Sequence, residues 1–98
     1  MNVKHRWILM YDIREPKRLQ KVAKLADAFG NRIQKSVYEI YTDNLTIDNI
    51  EKSIKILIEE EDSFALIPVC LPDWEKTIRL GTLEKHYTDP KEEENLFL

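Results

Sequence analysis

At 98 residues, with 43% hydrophobic and 34% charged side chains, the chain is sized for one globular domain around one core, and its composition excludes disordered and fibrous classes. Only two glycines occur, Gly30 and Gly81, so no phosphate-cradling G-x-x-x-x-G-K-[ST] loop and no G-x-G-x-x-G dinucleotide fingerprint can be written in it. The net charge of −3 hides a division. Residues 1–35 carry nine Lys/Arg against three acids, a net +6, leaving −9 for the rest, much of it in the runs 59–62 and 92–94. Such a chain can attract a polyanion over one face despite its acidic total.

Taken in chain order, Arg6 to Ile13 reads as a strand. Its continuous apolar run Trp7 to Tyr11 suits a central position covered by helices on one face, with Asp12 at its carboxyl end. Pro16 fits the first turn of a helix, along which Leu19, Val22, Ala23, Ala26 and Phe29 recur at helical spacing until Gly30 stops it. Lys17, Arg18, Lys21 and Lys24 fall mostly off that stripe, so the helix shows cations on its outer side. Arg32 to Thr42 is rich in β-branched and aromatic residues and predicts extended chain, either one bent strand or two segments broken near Lys35-Ser36.

Thr46 is the expected N-cap of a second helix carrying Ile47, Ile50, Ile54, Leu57 and Ile58; Asn44-Leu45-Thr46 also matches a glycosylation triplet, read as coincidence. Ser63 to Leu71 is a further strand, in which Pro68 removes a ladder donor and argues for an edge, a bulge or a bend. Glu75 to Leu80 reads as a short last strand. The pattern predicts an α+β sandwich with helices on one face of an antiparallel or mixed sheet, most simply β-α-β-β-α-β with a short extra C-terminal strand, in which residues 1–81 form the domain and 82–98 an acidic tail with the apolar tip Leu96-Phe97-Leu98. With no third helix expected, the free sheet face calls for self-association as a two-fold homodimer.

Cys70 is the only cysteine, and His5 and His86 lie far apart, so no Cys/His zinc pattern or intrachain disulfide is available and the thiol suits a reducing cytoplasm. No targeting segment is visible, and no apolar run reaches the length of a membrane span.

Tyr11-Asp12-Ile13 after an apolar strand, then Lys17-Arg18-Leu19 and Lys21-Val22, then Gly30 to Glu39 (GNRIQKSVYE), Glu61-Asp62-Ser63, Ile67-Pro68-Val69-Cys70 and Leu80-Gly81 resemble the small CRISPR-associated protein of spacer acquisition, partner of the CRISPR integrase, over about residues 8–81. Two departures occur: Tyr38 stands where that family often has phenylalanine, and no second cysteine follows Cys70. The resemblance implies a ferredoxin-like homodimer that holds duplex DNA between flanking integrase dimers. In some members the dimer also cleaves phosphodiesters of RNA, including single-stranded RNA, or of DNA. It implies that Asp12 meets its symmetry mate and, in the members that cleave, is both the catalytic group and the ligand of Mg²⁺ or Mn²⁺, whereas other members show no cleavage and serve only as a scaffold; it also implies that Glu75 to Leu80 completes the partner's sheet.

Magnesium commonly takes one or two protein carboxylates plus water and phosphate oxygens, so paired aspartates suit it. The competing reading of Asp12 is a cap of the following turn or helix. Arg14, Lys17, Arg18, Arg32 and Lys35 are the candidates for nucleic-acid phosphate contacts; if the dimer neutralises about six phosphates, log K falls with log[salt] at a slope of about −5. Tyr11, Ser36 and Tyr38 are supporting candidates, against the plainer expectation that both tyrosines are core and Ser36 a turn residue. Other classes stay open: a toxin-type endoribonuclease on the same kind of small fold, or a ferredoxin-like interaction module that binds no nucleic acid. The tail is expected to help dock the integrase, its acidic run complementing a basic surface.

Overall fold

The computed structural model describes residues 3–81. The expectations for residues 82–98 lie outside the described residues.

The apolar run after Lys4 forms β1 (Lys4–Asp12), which pairs antiparallel on one side with β3 (Val37–Asp43) and on the other with β4 (Ser63–Val69). β2 (Asn31–Gln34) adds to β3 across a two-residue turn at Lys35-Ser36, giving the sheet order β2-β3-β1-β4. The stretch 32–42 is therefore two strands with an irregular register between Arg32 and Gln34, and Ser36 is the turn residue it was expected to be. Helices α1 (Pro16–Phe29) and α2 (Asn44–Leu57) cross over between strands and lie on one sheet face. This is the ferredoxin-like sandwich predicted, with β1 central. β4 is an edge strand, which is why Pro68 is tolerated opposite Trp7.

Alternation along β1 sets the core. Leu9, Tyr11 and, just beyond the strand, Ile13 are buried beneath the helices with Tyr38 and Ile40 of β3 and Val22, Ala26, Ile47, Ile50 and Ile54 of the helices. Gly30 is needed at the end of α1 for close approach: a Cβ there would lie 2.7 Å from the Glu39 carbonyl oxygen and 2.8 Å from Ile40 Cγ1. The cap of α2 differs from the expectation. Asp43, not Thr46, is the N-cap, its carboxylate accepting from the Thr46 N–H at 2.8 Å; Thr46 lies inside the first turn because the helix starts as soon as β3 ends.

The expected strand over Glu75 to Leu80 is not formed within the chain, and the expectation that no third helix exists is also corrected. Leu71–Lys76 is a short helix, α3, with a proline in its first turn, and residues 77–80 have no regular structure. The Trp74 N–H donating to the Cys70 carbonyl at 3.0 Å and the Thr77 N–H donating to the Trp74 carbonyl at 3.2 Å close this helix, and Trp74 anchors it. Its buried ring lies on the open sheet face with the Arg6 guanidinium 4.6 Å and the Arg79 guanidinium 4.8 Å from the ring centroid, and Arg79 Nη2 donates to Glu39 Oε1 at 2.7 Å. Together they cover the part of that face near Arg6, Glu39 and Tyr41. Among the described residues no helix is long and apolar enough to cross a membrane.

Candidate functional site

The free end of β1 organises the site. Opposite faces of one strand take alternate residues, so with Leu9 and Tyr11 committed to the core, Ile8, Met10 and Asp12 point to the open face. Met10 and Ile67 remain 42% and 43% exposed there, flanked by Val37 and Ala65, beyond the reach of Trp74. Asp12 sits at the margin of this apolar strip, its side chain 68% exposed, with Arg14 Nη2 at 3.9 Å.

Asp12 does not cap α1. Glu15 does so, its carboxylate accepting from the backbone N–H groups of Lys17 and Arg18. The capping explanation for Asp12 is thereby removed, and its carboxylate has no role in holding the helix. One chain supplies one carboxylate at this point, and no cluster of three His, Cys, Asp or Glu suited to a metal occurs among the described residues.

Around this strand end a shallow depression of about 420 Å³ is lined by Tyr11, Asp12, Ile13, Leu19, Ala23, Arg32, Lys35 and Ser36. It brings together five of the residues singled out from sequence: Tyr11, Asp12, Arg32, Lys35 and Ser36. Tyr11 and Tyr38 are core residues as expected, with ring centroids 6.2 Å apart. The Tyr38 hydroxyl donates to Asp27 Oδ1 at 2.7 Å and accepts from Arg32 Nε at 2.8 Å and Nη2 at 2.6 Å. Burial first, and the Asp27 carboxylate second, push the Tyr38 hydroxyl well above the ordinary phenol range, with Arg32 opposing them.

The five nominated cations divide. Arg18 is held by acids of the loop between α2 and β4: its Nε donates to Asp62 Oδ2 at 2.8 Å and its Nη2 to Glu61 Oε1 at 2.7 Å, leaving the side chain 20% exposed. Arg32 is fixed on Tyr38 and Asp27. Arg14, Lys17 and Lys35 are exposed to solvent.

Asp62, read from sequence as part of the acidic run 59–62 and of the resemblance, proves to be the fastener of this region. Its fully covered carboxylate accepts from Arg18, from the Arg14 N–H at 3.0 Å and from the Glu59 N–H at 2.9 Å, tying the segment just after Asp12 to the loop before β4. Arg18 first, and the Arg14 N–H second, hold the Asp62 carboxyl well below the usual range, while Asp62 first, and Glu61 second, raise Arg18. Trp74, Arg79 and Glu39 were also missed. The available signals were a glutamate inside the apolar strand Val37–Asp43 and an isolated tryptophan in a polar stretch.

Comparison with known proteins places this geometry. The sequence model of the family described as CRISPR associated protein Cas2 matches residues 5–77. The chain belongs to the Cas2 family. It is similar to CRISPR-associated endoribonuclease Cas2 4 of Rhodospirillum rubrum, 32% identical over 88 residues that cover 88% of this chain and 71% of that protein. It is also similar to CRISPR-associated endonuclease Cas2 2 of Thermus thermophilus, 30% identical over 67% of this chain and 74% of that one. Among solved structures, that of Streptococcus pyogenes Cas2 at pH 6.5 aligns with a TM-score of 0.66 at 29% identity, covering 78% of this chain and 99% of the other. The fold and the resemblance read from residues 8–81 thus agree with the Cas2 family, whose named relatives are nucleases.

Proposed function

We propose that this Cas2-family chain is a subunit of CRISPR spacer acquisition that works as a homodimer, binds nucleic acid through its phosphate backbone, docks the integrase and cleaves phosphodiester bonds at Asp12. The observation that carries the reading is Asp12 itself: a carboxylate at the end of the central strand, on the open sheet face, with no capping duty and an uncovered apolar strip beside it. A carboxylate so placed is free for chemistry, and the strip formed by Ile8, Met10, Ala65 and Ile67 is suited to burial against a second copy. An isologous contact there repeats every residue across the axis, so it would set two Asp12 side chains near one another.

A single exposed carboxylate is too little to hold a divalent cation, whereas two across a two-fold axis fit Mg²⁺ or Mn²⁺ with water and phosphate oxygens filling the other positions. When bound, the ion would supply Lewis-acid polarisation of the phosphate and a more acidic water. The chain's own residues orient the substrate. Arg14, Lys17 and Lys35 are exposed cations at this end of the molecule and would take phosphate oxygens, while Asp62 holds the Arg14 backbone and so the approach to Asp12. No histidine has to act as base.

The test is a nuclease assay on RNA and DNA, with and without Mg²⁺, comparing wild type with Asp12→Asn, alongside sedimentation of both. Cleavage that requires metal and disappears in Asp12→Asn, in a variant that still sediments as a dimer, supports the reading. Cleavage that persists in Asp12→Asn overturns the catalytic part, and a monomeric wild type overturns the paired site.

A further inference from the structure

Two recesses with apolar walls open on the surface, and their charges differ. The one between α2 and β4, of about 340 Å³, is lined by Ile54, Ile58, Phe64 and Leu66 together with Glu51 and Lys55. Those two charges already pair with each other at 3.1 Å, and the exposed acids Glu59, Glu60 and Glu61 follow α2 directly. The depression beside Asp12 has Ile13, Leu19 and Ala23 on its apolar side, with Leu19 still 40% exposed. Its surroundings are positive. Lys35 lines it, Arg14 lies two residues beyond Asp12, and Lys17 stands in the first turn of α1. Both lysines are exposed and enter no ion pair among the described residues.

One segment of the chain matches that depression in charge and in polarity. Within residues 82–98 three consecutive glutamates, Glu92 to Glu94, stand one residue before Leu96-Phe97-Leu98. The segment can also reach. Arg79 is fixed on Glu39, which lies opposite Ile8, and Asp12 is four residues farther along β1, about 13 Å away. The eleven residues from Gly81 to Glu92 span up to about 36 Å. Resting on the nucleic-acid reading above, we infer that residues 92–98 dock on their own chain at the depression beside Asp12, the glutamates on Arg14, Lys17 and Lys35 and the apolar triplet against Leu19 and Ala23, so that the chain carries its own competitor for a polyanion. The acids at 59–61 repel the same segment from the recess between α2 and β4. Tethering raises the effective concentration to the millimolar range, so weak surface pairs suffice to hold the segment and a long polyanion displaces it.

Amide NMR spectra of isotope-labelled full-length protein, recorded without nucleic acid, compare wild type with Leu96→Ser/Phe97→Ser. Fluorescence anisotropy on a short duplex of arbitrary sequence adds Glu92→Gln/Glu93→Gln/Glu94→Gln. The serine variant should move the amides of Ile13, Leu19, Ala23 and Ser36 and bind the duplex several-fold more tightly, although its charge is unchanged. The glutamine variant should bind about eightfold more tightly at low salt, a factor of about two for each exposed pair, and gain nothing at high salt. Unmoved amides in a protein that binds duplex overturn this inference alone. A gain confined to the glutamine variant reduces the effect to net charge and overturns the docking. Shifts at Ile58, Phe64 and Leu66 instead would put the segment in the other recess and overturn the assignment. So would recovery of the wild-type spectrum when unlabelled wild type is added to the labelled serine variant, since the occupant would then belong to a second copy. Absence of nucleic-acid binding in every variant overturns the competitor role together with the nucleic-acid reading.

Discussion

The two faces of the sheet are built from alternate residues of the same strands, yet they do different work. On the covered face Leu9, Tyr38 and Ile40 are buried to within 1% beneath two helices, and the Tyr38 hydroxyl that enters there has three hydrogen-bonding atoms around it. On the open face Met10 and Ile67 are left partly bare, Asp12 is exposed at the rim, and cover comes from a six-residue helix through one tryptophan and its guanidinium neighbours. The difference shows how a small fold separates stability from chemistry: one face of each strand supplies the core, leaving the other to accept a partner or a reactive group without unfolding the domain.

That contrast can be broken most forcefully at Leu9. Leu9→Ala leaves a cavity in the centre of the covered face and should cost about 2–5 kcal/mol in urea denaturation. A cost below about 1 kcal/mol would mean that the covered face is not the main core. Tyr38→Phe keeps the ring and deletes the hydroxyl, leaving Asp27 and Arg32 only their contact with each other; a loss of about 0.5–1.5 kcal/mol is expected by the same measurement.

Acid sharpens the comparison from a third side. The Asp62 carboxyl is depressed in the folded chain, so the stability it contributes is present in full above its ordinary pKa of 3.8 and is lost as pH falls through its folded value. Asp62→Asn should therefore unfold more readily at neutral pH and show a flatter decline in melting temperature below pH 4. An acid limb identical to that of wild type would show that the carboxylate carries no such linkage.

The smallest change in folding is expected on the open face. Met10→Lys should move the stability of the folded chain by no more than about 0.5 kcal/mol, as surface substitutions do, and, under the proposed homodimer, should shift the protein toward monomer in sedimentation. Substitution there that unfolds the domain would erase the distinction between the faces.

The periodic elements were legible because burial repeats at the helical or strand period and each repeat is local. The stripe from Leu19 to Phe29 fixed α1 within a residue, the isoleucines at positions 47, 50 and 54 fixed the buried side of α2, and Pro68 marked an edge strand. Errors arose where local signals were weak or competed. Asp43 and Thr46 are both good capping residues three positions apart, and only the end of β3 chooses between them. Residues 71–80 carry too few apolar positions to show a period, and their course depends on Trp74 finding Arg6, nearly seventy positions away.

The candidate site was legible as a set of residue types and not as an arrangement. Sequence by itself determined the ferredoxin-like order of elements, the placement of Asp12 at a strand end and the concentration of cations before residue 36, because each follows from spacing along the chain. Only the tertiary structure decided which charges were already neutralised: Arg18 by Asp62 and Arg32 by Asp27, pairs separated by 44 and five residues respectively. Charge is a property of composition, but whether a charge remains available depends on which opposite charge folding brings within reach, and distance in sequence carries little information about that.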